Sequence, residues 1–183
     1  MNQKNWKLPL IIGASVIAVI LLFIFAIQGY QNNAFALEEQ VKTAQSDIKV
    51  QEKRRADLIP NLVDCVKEYD KHEYETLMAV VEERGTNSDA AVSEVQTMIA
   101  AVSEAYPELK SNQTYQKLMN ELSMTENLIA EYRSNYNKQI KEYNRYVRKF
   151  PARMFLNILG YEVQEYDYLD YNTSEDAPTN LFN

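Results

Sequence analysis

The stretch Gln113–Phe150, QTYQKLMNELSMTENLIAEYRSNYNKQIKEYNRYVRKF, decides the fold. Within it Tyr115, Leu122, Ile129, Tyr136 and Tyr143 recur at intervals of seven, and Met119, Ile140 and Val147 each follow a member of that series by four. An apolar repeat of 3.5 residues sustained over five heptads makes one stripe along a helix, and packing against neighbouring helices takes that stripe out of water. Tyrosine is too bulky for a tight two-stranded seam, so the spacing predicts a bundle interior. The stripe reads as core and calls for no cofactor.

Working outward, three more helical stretches precede this one. From Gln31 to Asp57, Val41, Ile48, Arg55 and Leu62 stand seven apart, with Ala44, Gln51 and Leu58 between them. Pro60 is expected to end that helix, because an interior proline removes a hydrogen bond and clashes one turn back. A second helix is therefore expected from Pro60 to Arg84, capped by Asp57, with Val63, Val66, Leu77 and Val81 inward. Gly85-Thr-Asn-Ser reads as a loop, and a third helix from Asp89 to Tyr106 carries Ala91, Val95, Met98, Ile99 and Val102 on one face until Pro107. With only 4 Gly and 5 Pro in 183 residues, a strand-rich sandwich or barrel lacks the turns it needs.

Near the N-terminus, Leu8–Ile27 reads LPLIIGASVIAVILLFIFAI, twenty residues without a charge. As a helix this covers about 30 Å, the thickness of a bilayer's hydrocarbon core. A cleaved signal peptide is the competing reading, with Lys4 and Lys7 as its basic start and Ala34-Phe35-Ala36 as a small-x-small site. The apolar run exceeds the usual signal length and Ala36 lies well beyond its end, which favours a permanent anchor. Lys4 and Lys7 precede the run, whereas only Lys42 follows closely, so the basic-residue bias keeps the short N-terminus cytoplasmic and the larger domain outside. Ala14 and Ala18 have the small-xxx-small spacing that packs two spans into a homo-oligomer, a spacing that also arises by chance among alanines.

Charges on the inward stripes ask for partners, since a buried charge left alone costs several kcal/mol. Glu126 and Arg133 interrupt the stripe of the last long helix, and Arg55 interrupts the first. We expect Arg55, or Arg54 beside it, to meet Glu126; solvated surface charges are the alternative. Pairing 55 with 126 sets an antiparallel register that brings Tyr30 beside Pro151, so the last helix ends where the chain leaves the membrane. The apolar patch that follows, Met154, Phe155, Leu156, Ile158 and Leu159, then either dips into the membrane interface with Arg153 near the headgroups, or caps the open end of the bundle. Residues 162–183 form an acidic, tyrosine-rich tail whose tyrosines can pack along the bundle, with Asp176-Ala-Pro-Thr expected to be disordered.

The composition narrows the function classes. Nineteen basic against 26 acidic residues give a net charge of −7, and −9 once residues 1–29 and their two lysines are set aside. That balance argues against nucleic acid, whose attraction is electrostatic. His72 is the only histidine, too few for a di-iron helix bundle, and with Asp70 and Glu73 it offers at most a weak, exposed cation site. Cys65, the single cysteine, reads as a small apolar residue. No phosphate loop, nucleophile elbow or kinase signature is present. No catalytic residue, cofactor or metal is expected, and the chain reads as a non-enzyme.

One segment is specific enough to point to a family. Ser46–Tyr69, SDIKVQEKRRADLIPNLVDCVKEY, closely resembles the signature of the LemA family, and Ala105–Lys110 (AYPELK), Thr125–Ile129 (TENLI), Tyr143-Asn144 ahead of Phe150-Pro151, and Ala177-Pro178 agree. The chain departs in having Tyr30-Gln31 where a Tyr-Asn pair is usual, and in its short Gly85 loop. The resemblance implies an all-α chain: one N-terminal transmembrane helix, then an antiparallel four-helix bundle with long helices. On that plan residues 1–29 are the cytoplasmic end and anchor, 30–161 the bundle and 162–183 the tail. It implies no reaction. Members often occur beside envelope proteins and membrane proteases, which implies such a protein, along with the lipid bilayer, as partner. The expected role is a single-pass membrane scaffold whose bundle is extracytoplasmic, or else a lipid-interacting module acting through Met154–Leu159.

Overall fold

The computed structural model describes residues 7–85 and 88–169. Every regular element among them is a helix: α1 (Lys7–Val66), α2 (Lys71–Arg84), α3 (Asp89–Ala105), α4 (Pro107–Ser111), α5 (Gln113–Arg148) and α6 (Ala152–Ile158). The expectations for Lys4, for the last of the tail tyrosines (Tyr171), for Asp176-Ala-Pro-Thr and for Ala177-Pro178 lie outside the described residues.

Helix α1 corrects two expectations. It joins the apolar run and the following polar helix without a break, and it continues through Pro60 to Val66. An interior proline costs about 3 kcal/mol. Around it Leu58, Ile59, Leu62, Val63 and Val66 are all buried, and each such side chain contributes about 1.5–3 kcal/mol when removed from water. Burial on both sides of the proline outweighs the lost bond. Asn61 Nδ2 also donates to the Asp57 carbonyl at 2.7 Å, so Asp57 is an interior residue and not the expected cap.

The break comes ten residues later. Asp70 is the N-cap of α2, its Oδ1 accepting from the amides of His72 and Glu73 at 2.9 and 3.1 Å, as short acidic side chains do at helix starts. Helix α2 ends at Gly85, whose φ of +69° favours glycine. Ser88 caps α3 through the Ala91 amide, and Pro107 opens α4, where its missing N–H costs nothing. Asn112 receives the amides of Thr114 and Tyr115 at the start of α5.

The chain divides into two compact units, one of residues 1–42 with 137–183 and the other Thr43–Tyr136. In the second unit, Leu58, Leu62 and Val66 of α1, Leu77 of α2, Val95, Ile99 and Val102 of α3, Leu109 of α4 and Leu122 of α5 share one core. The first unit buries Ala34, Val41, Ile140, Tyr143, Val147, Ala152, Leu156 and Tyr161. Its apolar stretch is different: Leu10 to Phe25 exposes its large side chains, 70% for Leu10 and 72% for Phe25. One helix among the described residues is thus long and apolar enough to cross a membrane.

Candidate functional site

Three polar or amphipathic clusters stand out, one in the second unit and two in the first. In the second unit, Arg55 is fully buried on the α1 stripe. Its Nη1 donates to Asp89 Oδ1 at 2.8 Å and to Glu126 Oε2 at 3.4 Å. Asp89, the first residue of α3, also takes Arg133 of α5 through Oδ2 at 2.6 Å, and Arg133 reaches Glu52 of α1 at 3.0 Å. Rising numbers in α1 (52, 55) meet falling numbers in α5 (133, 126), so these stretches run in opposite directions. Arg54, the other candidate partner of Glu126, instead pairs with Glu121 on the exposed side.

The Asp89 carboxyl is held below its usual range, first by the Arg133 hydrogen bonds and then by Arg55. Charge-assisted bonds to two guanidiniums favour the ionised form. Neither Asp89 nor Glu52 emerges from the sequence reading as a partner. Glu52 had a signal, since it falls four residues after Ile48 and three before Arg55 on the inward stripe; Asp89 sits at a helix start, where spacing says nothing about partners.

The first unit buries a carboxylate by other means. Glu38, 9% exposed, accepts a very short hydrogen bond from the Tyr161 hydroxyl. The Tyr161 and Tyr143 hydroxyls lie 3.0 Å apart, and Tyr143 Oη accepts the Gln164 amide at 2.8 Å. Burial, then Glu38, pushes the Tyr161 hydroxyl strongly upward, so it stays protonated and donates. Gly160, at φ +64°, lets the chain reverse after α6, with the Tyr161 amide returning to the Leu156 carbonyl at 3.0 Å. The residues beyond run along α5: Tyr166 sets its edge on Tyr143, and Leu169 exchanges two 2.9 Å bonds with Asn137. Glu38 also went unread in the sequence, although it stands four residues after the buried Ala34 and three before Val41.

Helix α6 forms the third cluster. Phe155 stacks on Tyr30 at 5.0 Å and meets the edge of Phe23 at 5.7 Å, while the Tyr146 hydroxyl donates to the Tyr30 carbonyl at 3.1 Å. Tyr146 near the end of α5 and Phe155 of α6 therefore lie against residues 23–30 of α1. Of the five apolar residues singled out in this patch, Leu156 is buried and Phe155 and Leu159 are half-buried. These three are packing residues. Met154 and Ile158 face outward, joined by Phe150, which the sequence reading did not select.

The remaining candidates are occupied structurally. Asp70 gives one oxygen to the α2 amides and the other to the Tyr106 hydroxyl at 2.8 Å, and these bonds hold its carboxyl low. Cys65 Sγ donates to the Asn61 carbonyl at 3.4 Å, and burial pushes its thiol up. A thiol held protonated at neutral pH is a poor nucleophile.

With this geometry in view, comparison with known proteins is informative. The model of the LemA family matches residues 44–182, a span that includes the Arg55 cluster, Tyr143, α6 and Tyr161. A relative from Metamycoplasma hominis, "Protein LemA", is 26% identical over 177 residues, covering 87% of this chain and 81% of its own length. The chain belongs to the LemA family.

Proposed function

We propose that this chain is a non-enzymatic, single-pass membrane scaffold: α1 crosses the bilayer through Leu8–Ile27, and the helices beyond it present a surface outside the cell to another envelope protein, a membrane protease among the candidates. In this reading the four helical stretches of the second unit, from α1, α2, α3 and α5, form an antiparallel four-helix bundle. The observation that carries the proposal is the Arg55–Asp89–Arg133 cluster. Its ionisable side chains pair with one another as ties between α1, α3 and α5, an arrangement suited to holding helices in register.

Partner capture tests it. In living cells, a photo-cross-linking residue in place of exposed Glu82 or Ser93 should trap the same protein repeatedly; silence at both positions sinks the scaffold. Sidedness has its own check: with Cys65→Ser, a Glu83→Cys thiol should react with a membrane-impermeant maleimide in intact cells.

A second reading, contact with lipid through α6, is favoured by one observation. Phe155 touches Phe23, four residues before the end of the apolar run at Ile27, or about 6 Å inside it along the helix. That depth suits an amphipathic helix lying at the boundary of headgroups and acyl chains. Spin labels on Met154→Cys or Ile158→Cys should be shielded from aqueous relaxants in the reconstituted full chain, and full water access at both positions would remove the reading.

A further inference from the structure

The end of α5 carries Arg145 and Arg148, the turn after it Lys149, and α6 adds Arg153: four basic residues in nine positions with no acid among them. All four are exposed, and none forms an ion pair with a described residue. In a chain of net charge −7 such a cluster is locally anomalous. Two acids of the chain beyond α6 are drawn away: Glu165 and Asp167 belong to the segment that runs from Tyr143 back to Asn137. Asn137 is eleven residues before Arg148, about 16 Å along the helix. Glu142, one turn before Arg145, is the nearest acid on α5 itself. Positive charge is thus gathered at the end of α5 that lies against residues 23–30 of α1, with no acid between Arg145 and Arg153.

Apolar groups share the positive end. Phe150 is 76% exposed, Ile158 65% and Met154 42%, and they flank the basic residues in sequence, while Phe155 ties the same helix to Phe23. Basic groups at headgroup level beside apolar groups at acyl level match an anionic lipid surface, in which Coulomb attraction and burial act together. We propose that the basic end of α5, with the outward face of α6, is a seat for anionic phospholipids of the leaflet on the bundle's side. This rests on the lipid-contact reading above and deepens it by naming the lipid class. The basic cluster does not bear on the N-terminal lysine bias, because it lies more than a hundred residues beyond the span and the bias counts only residues flanking a span closely.

The test uses the full chain in vesicles of phosphatidylcholine and phosphatidylglycerol. Trp6 is the only tryptophan, so the double variant Trp6→Phe/Ile158→Trp carries a single reporter on α6. Bromines on the acyl chains of one lipid at a time quench it on contact. Quenching per brominated lipid should be about threefold stronger when the bromines are on phosphatidylglycerol. Adding Arg145→Gln, Arg148→Gln, Lys149→Gln and Arg153→Gln should erase the difference, and lysine at the three arginine positions should keep it. Equal quenching from both lipids overturns the anionic seat and leaves the lipid-contact reading standing. A preference that survives the glutamine variant overturns the seat as well. Absence of quenching from either lipid overturns both.

Discussion

In the second unit, two arginines and three carboxylates meet across α1, α3 and α5, whereas the first unit buries the Glu38 carboxylate against the Tyr161 hydroxyl, itself bonded to that of Tyr143. The two solutions differ in what they ask of water. The arginine cluster has a wet edge, since Asp89 keeps 59% of its side chain exposed while Arg55 keeps 1%. The tyrosine network is closed by a non-helical segment, with Phe35 laid against Tyr161. Ionic ties with an open edge respond to salt and pH. A carboxylate shut in with neutral donors depends instead on every donor being present.

The largest effect expected is at Arg55. Arg55→Ala removes a fully buried side chain and strands parts of Asp89 and Glu126, and should cost about 3 kcal/mol, seen as earlier exchange of α3 and α5 amides in denaturant. A loss under about 1 kcal/mol would mean that the cluster does not hold the helices together. Next comes Tyr161→Phe in the first unit. It leaves Glu38 without its donor and should cost about 2 kcal/mol, read at amides around Tyr143. In 1 M salt, where screening acts within about 3 Å, the Tyr161→Phe cost should persist and costs in the arginine cluster should shrink. Equal salt response in both units would erase the distinction drawn between them.

The same contrast explains what could be read from the sequence. Heptad spacing exposes Tyr115, Leu122, Ile129, Tyr136 and Tyr143, all of which are buried in α5, and the apolar run of α1 announces itself by length alone. Both are periodic or compositional signals. Pro60 misleads because a local rule cannot see that Leu58, Ile59, Leu62 and Val63 share one core, a tertiary gain larger than the local cost. The start of α2 was legible in Asp70 followed by Glu73 but was masked by the helix drawn through it from Pro60. Tyr161 and Asp89 carry no such signal. One follows a glycine reversal and the other opens a helix, so their partners are set by chain path. Phe150, too, is outward because the chain turns between α5 and α6, where helical spacing does not apply.

At Asp89 the comparison becomes a pH experiment. Its folded carboxyl lies below the unfolded value, which is near 3.9. A depressed carboxyl contributes stability above the unfolded value and loses it as pH falls through the folded one. Asp89→Asn should therefore cost about 1–2 kcal/mol at pH 7, its exposed side weakening the pair, and its difference from the native chain should narrow as pH falls below about 4. A gap that stays constant down to pH 3 would assign the loss to packing and not to charge.

The smallest effect is the most informative about Arg55. Had Glu126 been its sole partner, Glu126→Ala would leave a buried guanidinium alone and cost about 3–5 kcal/mol. The geometry divides the task differently: Asp89 holds Arg55 at 2.8 Å and Glu126 at 3.4 Å. With the shorter contact intact, Glu126→Ala should cost only about 1 kcal/mol. The pair Asp89→Asn with Glu126→Ala should then cost more than the sum of the two, because both acids accept from the same Arg55 Nη1. Strict additivity would mean that the two acids act on separate groups. Arg54→Ala supplies the baseline, its exposed pair with Glu121 being worth less than about 0.5 kcal/mol. If Glu126→Ala falls to that level, Arg55 is held through Asp89, and the partly buried ionic tie between α1 and α5 is the one from Arg133 to Glu52.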